Sequence, residues 1–335
     1  MDTRKRIVVI GGGTGTYTIL SGLKRRKEWS LSAIVTMSDD GGHTGELRDN
    51  LGVLPPGDLR QCLVALSNDQ DDTWRQLFSH RFADGSGNMT GQSVGNIILG
   101  ALEKIRGNPI SALQTAHRIL NVRGQVIPVT LEATKLCAEL TDGQTIVGEH
   151  LIDDADGPRA PIQRCFLQNV VQANPEAVAE IQNADLVILG PGDFWTSLVP
   201  NLIVPGITDA LTSLQRTGGK ILFVCNLVTK KGQTDDYTAS TFASKLDEII
   251  SPVRIDEILL NSRPPNKEII ERYNEEGEYL VRDDLDPRDR RVLRKPIISG
   301  DISIAASGDK LRRSLLRHDP DGLAHAVSLI LQEED

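Results

Sequence analysis

The segment "RIVVIGGGTGTYTILSGLKRR" constrains the fold more than any other part of the sequence. Ile7 to Ile10 form an unbroken apolar run, as a strand covered on both faces requires. A glycine turn follows at Gly11, Gly12, Gly13 and Gly15. Leu20 and Leu23 then recur at helical spacing before a basic end. Strand, glycine turn and helix in that order open an α/β sheet. The pattern returns: "LSAIVTM" is a second strand, "LVIL" precedes the loop "GPGDFWTS", "KILFVC" precedes "NLVTKKGQT", and "RIDEILLNS" runs into a loop. The sequence therefore predicts an α/β fold, one doubly wound core over residues 1–335. It carries a helical insertion over about 72–122 and a small β excursion over about 124–160, with a turn at Thr141 to Gly143. "GDLRQCLVALS" and "GLAHAVSLILQEE" read as further helices, the first starting near Gly57 at the end of a loop.

Composition narrows the function classes. The chain has 335 residues, 37 basic and 46 acidic, with a formal charge of −9 and only 4% aromatics. That balance argues against an extended nucleic-acid surface but leaves room for a local phosphate pocket. Cys62, Cys137, Cys165 and Cys225 lie far apart and form neither a short-spaced metal motif nor a disulfide framework, so buried free thiols are expected. The opening "MDTRKRIVVI" is too short in its apolar part for a signal peptide or a membrane span, which predicts a cytoplasmic location. Basic residues gather at Arg290, Arg291, Arg294 and Lys295, and again at Lys310, Arg312, Arg313 and Arg317. Interleaved acids make these a solvated rim in preference to a partner surface.

The glycine loops carry the candidate chemistry. Glycine lets a backbone approach a phosphate, and free amides at the helix start receive its charge. A dinucleotide fingerprint starting at Gly11 would need glycine at Thr16, and no phosphate-loop lysine follows, so Gly11, Gly12, Gly13 and Gly15 either cradle a nucleotide in another geometry or form a purely structural tight turn. Thr14 either bonds a phosphate or caps the helix. Gly192 and Asp193, with Gly190, Thr196 and Ser197, form a second loop at the carboxyl edge of the sheet. In "GNMTGQSVGNIILG", Ser93 and Asn96 open a helix, either capping it or reading a polar ligand. Asn226 and Thr229 occupy another strand-edge position suited to a base or sugar, with loop stabilisation as the competing role.

"SDDGGHTGELRDNLGVLPPGDLR" brings Asp39, Asp40, His43, Glu46 and Asp58 into one stretch. Asp39, Asp40, Asp58 and Asp193 are a chemically reasonable set for Mg²⁺, which prefers oxygen ligands. Acid–base work is a second option, because close carboxylates raise one another's proton affinity. His43 fits an exposed loop. Asp58, after Pro55, Pro56 and Gly57, either caps the next helix or accepts from a ligand. No cluster here assigns a metal or a catalytic residue by itself.

Together with "GQSVGNIILGAL", "VRGQVIPVTLE", "LVILGPGDFWTSLVPNLIVPGI" and "VCNLVTKKGQT", these blocks resemble the gluconeogenesis factor family of YvcK-like proteins, related to the 2-phospho-lactate transferases. The resemblance runs from about residue 7 to residue 265. It implies a Rossmann-like, mostly parallel sheet and a cytoplasmic protein that binds a UDP-sugar such as UDP-N-acetylglucosamine. It also implies a regulatory role in gluconeogenic carbon use, peptidoglycan formation and cell shape. Gly12, Gly13 and Thr14 would line the first loop, Asp39 and Asp40 an acidic wall, and Asn226 with Thr229 a later wall. No further cofactor is required by that reading. Mg²⁺ enters only under the alternative, phospho-lactyl transfer to a deazaflavin precursor, and an interaction scaffold without catalysis is the third class. The nucleotide-sugar is the expected partner; a cell-wall or metabolic protein partner and a homo-oligomer are compatible with it, whereas nucleic acid and a membrane span are not expected.

Overall fold

A computed structural model describes residues 4–68, 72–83, 85–154, 157, 159–300 and 315–332. The strands in chain order are β1 (Lys5–Gly11), β2 (Trp29–Val35), β3 (Gln125–Pro128), β4 (Leu136–Leu140), β5 (Thr145–Val147), β6 (Ile162–Leu167), β7 (Leu186–Leu189), β8 (Lys220–Val224), β9 (Glu257–Asn261) and β10 (Val292–Lys295). Seven of them form one parallel sheet in the order β10-β9-β8-β7-β1-β2-β3. β4, β5 and β6 form a separate antiparallel sheet.

The apolar runs follow from this architecture. Val8 and Ile10 of β1 enter the core on one face of the sheet, with Val187, Leu189, Ile221 and Phe223. Ile7 and Val9 enter the core on the other, with Leu186, Ile188, Leu222 and Val224. Successive strand side chains point to opposite faces, so a strand covered on both sides has no polar position to spare. Each such side chain contributes on the order of 1.5–3 kcal/mol by leaving water. The helix Gly13–Leu23 lays Ile19, Leu20 and Leu23 on the second face beside the C-terminal helix Pro320–Gln332.

From β1 the chain winds outward through β2 and β3, then returns beside β1 at β7 and winds the other way. The winding therefore reverses between β1 and β7. Such a reversal opens a crevice outside the carboxyl ends of the two strands. The loops Gly12–Gly15 and Gly190–Asp193 both leave the sheet there.

Residues 73–119 are helical apart from their connections, with helices Thr73–Ser79, Val94–Arg106 and Pro109–Ile119. The strand content over 124–160 divides. β3 pairs with β2 in the main sheet, whereas the antiparallel element spans β4 to β6 and runs past residue 160. Its first hairpin closes at the expected turn, Gly143 N–H donating to Leu140 O at 3.0 Å.

Two local readings change. Gly42–Leu51, expected as loop, is a helix, ended by Gly52 at φ 59°. Its polar composition and two glycines hide it from any apolar periodicity. The basic stretch around Arg294 and Lys295 contains an edge strand, β10, where Arg294 pairs with Asp283. Arg317 is half-buried, and its carbonyl accepts from Ser299 N at 2.9 Å. Lys310, Arg312 and Arg313 lie outside the described residues, as does the side chain of His43. All four cysteines are free and buried, and burial pushes the Cys165 thiol up to about 12. Among the described residues no helix is long and apolar enough to cross a membrane.

Candidate functional site

The two glycine loops abut. A Cβ on Gly15 would lie 2.3 Å from Pro191 O, and one on Gly192 would lie 3.4 Å from Gly12 O. Gly13 turns the chain into the helix at φ 64°. Gly192 is pinned from the next strand edge, where Asn226 Nδ2 donates to Gly192 O at 2.8 Å. Asn201, fully buried, donates to Gly11 O at 3.4 Å and Ser197 O at 2.8 Å. Phe194–Leu198 is a single π-helical turn between the second loop and Val199, a distortion that recurs at functional sites.

Asp58 does not cap its own helix, Pro56–Leu66, which has no side-chain cap. Its Oδ1 instead accepts from Gly13 N at 2.9 Å, at the start of the helix Gly13–Leu23. Its Oδ2 sits 2.2 Å from where a Gly12 Cβ would stand. Asp39 Oδ1 accepts from Gly41 N at 3.0 Å, and its Oδ2 lies 2.6 Å from a Cβ on Gly57. Burial, reinforced by Asp39, pushes the Asp58 carboxyl up to about 7; burial, reinforced by Asp40, pushes Asp39 up to about 6. Both carboxyls thus titrate above the ordinary range, Asp58 the nearer to neutrality.

Asp40 turns aside. Its side chain is 4% exposed and Oδ1 accepts from His150 N at 2.9 Å and His150 Nδ1 at 2.8 Å. Asp193 likewise bonds Lys230 Nζ, at 2.7 Å. Of the four aspartates proposed from sequence for Mg²⁺, Asp40 and Asp193 thus already have oxygens engaged by His150 and Lys230. No three His, Cys, Asp or Glu among the described residues are placed to hold a metal ion.

Asn96 sits beneath the acidic wall. It is 2% exposed; its Oδ1 accepts from Arg60 Nε at 2.8 Å and its Nδ2 donates to Thr44 Oγ1 at 3.4 Å. Thr44 in turn bonds Asp39. Ser93 stands at the N-cap of the helix Val94–Arg106 without capping it; its hydroxyl faces Phe78 O at 3.5 Å. Thr229 Oγ1 accepts from Tyr279 N at 2.9 Å while Thr229 N donates to Tyr279 O at 2.7 Å, so this residue ties two loops together. The Thr14 side chain does not cap its helix, whose N-cap position is Gly12.

The sequence reading missed the wall contributed by the small sheet. After β5, the segment Glu149–Asp153 returns to the crevice, bringing Glu149, His150 and Asp153. Ile152, fully buried, seats this segment in the core. Burial and the Asp39 and Asp153 charges raise Glu149 well above the ordinary carboxyl range. Lys230 Nζ bonds Asp153 Oδ1 as well as Asp193. Burial alone would lower the Lys230 ammonium, but those two carboxylates outweigh it and raise the group. Arg159 fastens the segment to the Lys230 loop, donating to Leu151 O, Ile152 O and Gly232 O. The one signal in the sequence was "GEHLIDD", with Glu149, His150, Asp153 and Asp154 clustered after a hairpin.

Residues 7–302 match the family described as 2-phospho-L-lactate transferase CofD. The gluconeogenesis factor of Bacillus subtilis is 36% identical, the match covering 99% of this chain and 100% of that one. The gluconeogenesis factor of Halalkalibacterium halodurans is 38% identical over 97% of this chain and 96% of its own. The crystal structure of a UPF0052-family protein from Bacillus halodurans superposes with a TM-score of 0.86 at 33% identity, covering 97% of this chain and all of that one. Fold and sequence agree over nearly the whole length, and the chain belongs to the CofD family, alongside proteins named gluconeogenesis factors.

Proposed function

We propose that the protein is a cytoplasmic UDP-sugar-binding regulator, taking UDP-N-acetylglucosamine or a close relative and linking gluconeogenic carbon use to cell-wall formation and cell shape. One observation carries the reading. At the reversal between β1 and β7, two abutting glycine loops, Asn226, and the carboxylates of Asp39, Asp58 and Asp193 edge one crevice. Glycine lets the backbone approach a diphosphate closely, and carboxylates are acceptors for sugar hydroxyls. The matches to gluconeogenesis factors support the cellular part. Calorimetric titration of ligand-stripped protein is expected to show UDP-N-acetylglucosamine bound more tightly than UDP. No binding of any uridine nucleotide would overturn the reading.

The family match and the raised carboxyls of Asp39 and Asp58 favour a second reading, phospho-lactyl transfer to a deazaflavin precursor. Under it, Asp58 in its ionised form would accept the proton of the attacking hydroxyl. Mg²⁺ belongs to this reading alone, and an ion there would compete with His150 for Asp40 and with Lys230 for Asp193. Product-resolved assays with and without Mg²⁺ reject it if no acceptor-dependent product forms.

A further inference from the structure

We propose that Lys230 receives the ligand's anionic diphosphate, and that Asp153 and Asp193 hold its ammonium in the ligand-free protein. The proposal rests on the UDP-sugar reading and identifies which part of the crevice takes the charge.

An anion entering between β1 and β7 meets two groups that attract it. The first is the amide of Gly13 at the start of the helix Gly13–Leu23. That amide already donates to Asp58 Oδ1 at 2.9 Å, and Asp58 Oδ2 fills the space beside Gly12. A phosphate oxygen there would have to displace one carboxylate and would then sit against the charges of Asp58 and Asp39. The second is Lys230, whose ammonium bonds Asp193 Oδ2 at 2.7 Å and also Asp153 Oδ1. Its side chain is 27% exposed, and those of Asp153 and Asp193 are 40% and 45% exposed, so the trio opens to solvent. An ammonium has three donors, and two are engaged.

The surroundings let Lys230 change partners. Its backbone is fixed by a tight turn, with Lys230 N donating to Thr234 Oγ1 at 2.8 Å and Lys230 O accepting from Thr234 N at 2.9 Å. The four-carbon stem above that anchor is flexible. Asp153 Oδ1 also accepts from Gln233 Nε2 at 3.0 Å and Thr196 Oγ1 at 3.4 Å, so it keeps neutral donors when the ammonium leaves. Gln233 itself is 3% exposed, with Oε1 buried and lacking a partner, an acceptor held beside the exchange. The two aspartates therefore compete with the ligand for one cation, and affinity reflects the difference between the two partners.

That competition sets opposite signs for two substitutions. Full-length protein is titrated calorimetrically, with chelator present, against UDP-N-acetylglucosamine, uridine and inorganic pyrophosphate. Lys230→Met is expected to weaken UDP-N-acetylglucosamine and pyrophosphate by about tenfold or more and to leave uridine unchanged. Asp153→Asn is expected to tighten both anions several-fold, because a competitor is gone; a lysine serving only as a structural ion pair predicts no gain. Folded Lys230→Met that binds both anions as wild type does, or Asp153→Asn that binds them no more tightly, overturns the proposal. Should Lys230→Met fail to fold, the Asp153→Asn arm decides alone. Should wild type bind pyrophosphate but no uridine nucleotide, the UDP-sugar reading fails while the pyrophosphate arms still decide the role of Lys230. Wild type binding neither overturns both.

Discussion

Asp58→Asn is expected to stabilise the ligand-free protein. Asparagine retains an acceptor oxygen for Gly13 N–H, now at 2.9 Å from Asp58 Oδ1, and removes a charge from beside Asp39. A carboxyl raised from 3.8 to about 7 binds a proton in the native state that the unfolded chain has already released. Stability contributed by this group therefore declines as pH rises from about 4 to about 7, and the full penalty is present above that range. The shift corresponds to a ceiling of about 4 kcal/mol. Relaxation of neighbours and the residual cost of burying an amide bring the expected gain to about 2–3 kcal/mol at pH 8 and about 1 kcal/mol at pH 5. Urea unfolding of wild type and variant at both pH values measures it. A variant no more stable than wild type at pH 8, or a difference that does not change with pH, would refute the electrostatic account. The same variant is expected to lose ligand affinity, a trade of function for stability.

Gly15→Ala should destabilise by about 1–3 kcal/mol in thermal unfolding, since its Cβ would press on Pro191 O, and should weaken UDP-sugar binding by separating the loops. Asn96→Leu deprives Arg60 and Thr44 of one partner each inside the protein, with an expected loss of about 1–3 kcal/mol by urea unfolding. His150→Ala should cost less than about 1 kcal/mol in the same assay, because the ring is largely exposed and the backbone bond from His150 N to Asp40 remains. Thr229→Val should destabilise by about 1 kcal/mol through its bond to Tyr279 while leaving uridine binding by calorimetry unchanged.

Much of the scaffold was legible because apolar runs and glycines report local constraints. "LVIL" is β7, "KILFV" is β8 and "GLAHAVSLILQ" falls in the last helix, each showing the pattern its burial requires. Elements without an apolar signature were not legible. The helix Gly42–Leu51 is polar, and β10 is a short edge strand whose residues are only half-buried. The candidate site was legible as a set of loops, not as a set of roles. Asp58, read as a cap or a ligand acceptor, accepts from the first amide of another helix; Asn96, read as capping or recognising a ligand, bonds Arg60 and Thr44.

The strand–glycine–helix repeat, the two-sided burial of the sheet and the glycine loops at strand ends are written in the local order of residues. These depend on neighbours within a few residues, where side-chain period and backbone freedom decide the outcome. The pairing of the charges arises on folding. Gly13 meets Asp58 across 45 positions, Asp40 meets His150 across 110, and Lys230 meets Asp153 across 77. Whether a carboxylate holds a proton, a backbone amide or a lysine depends on burial and on which partner folding delivers, and no local pattern encodes either.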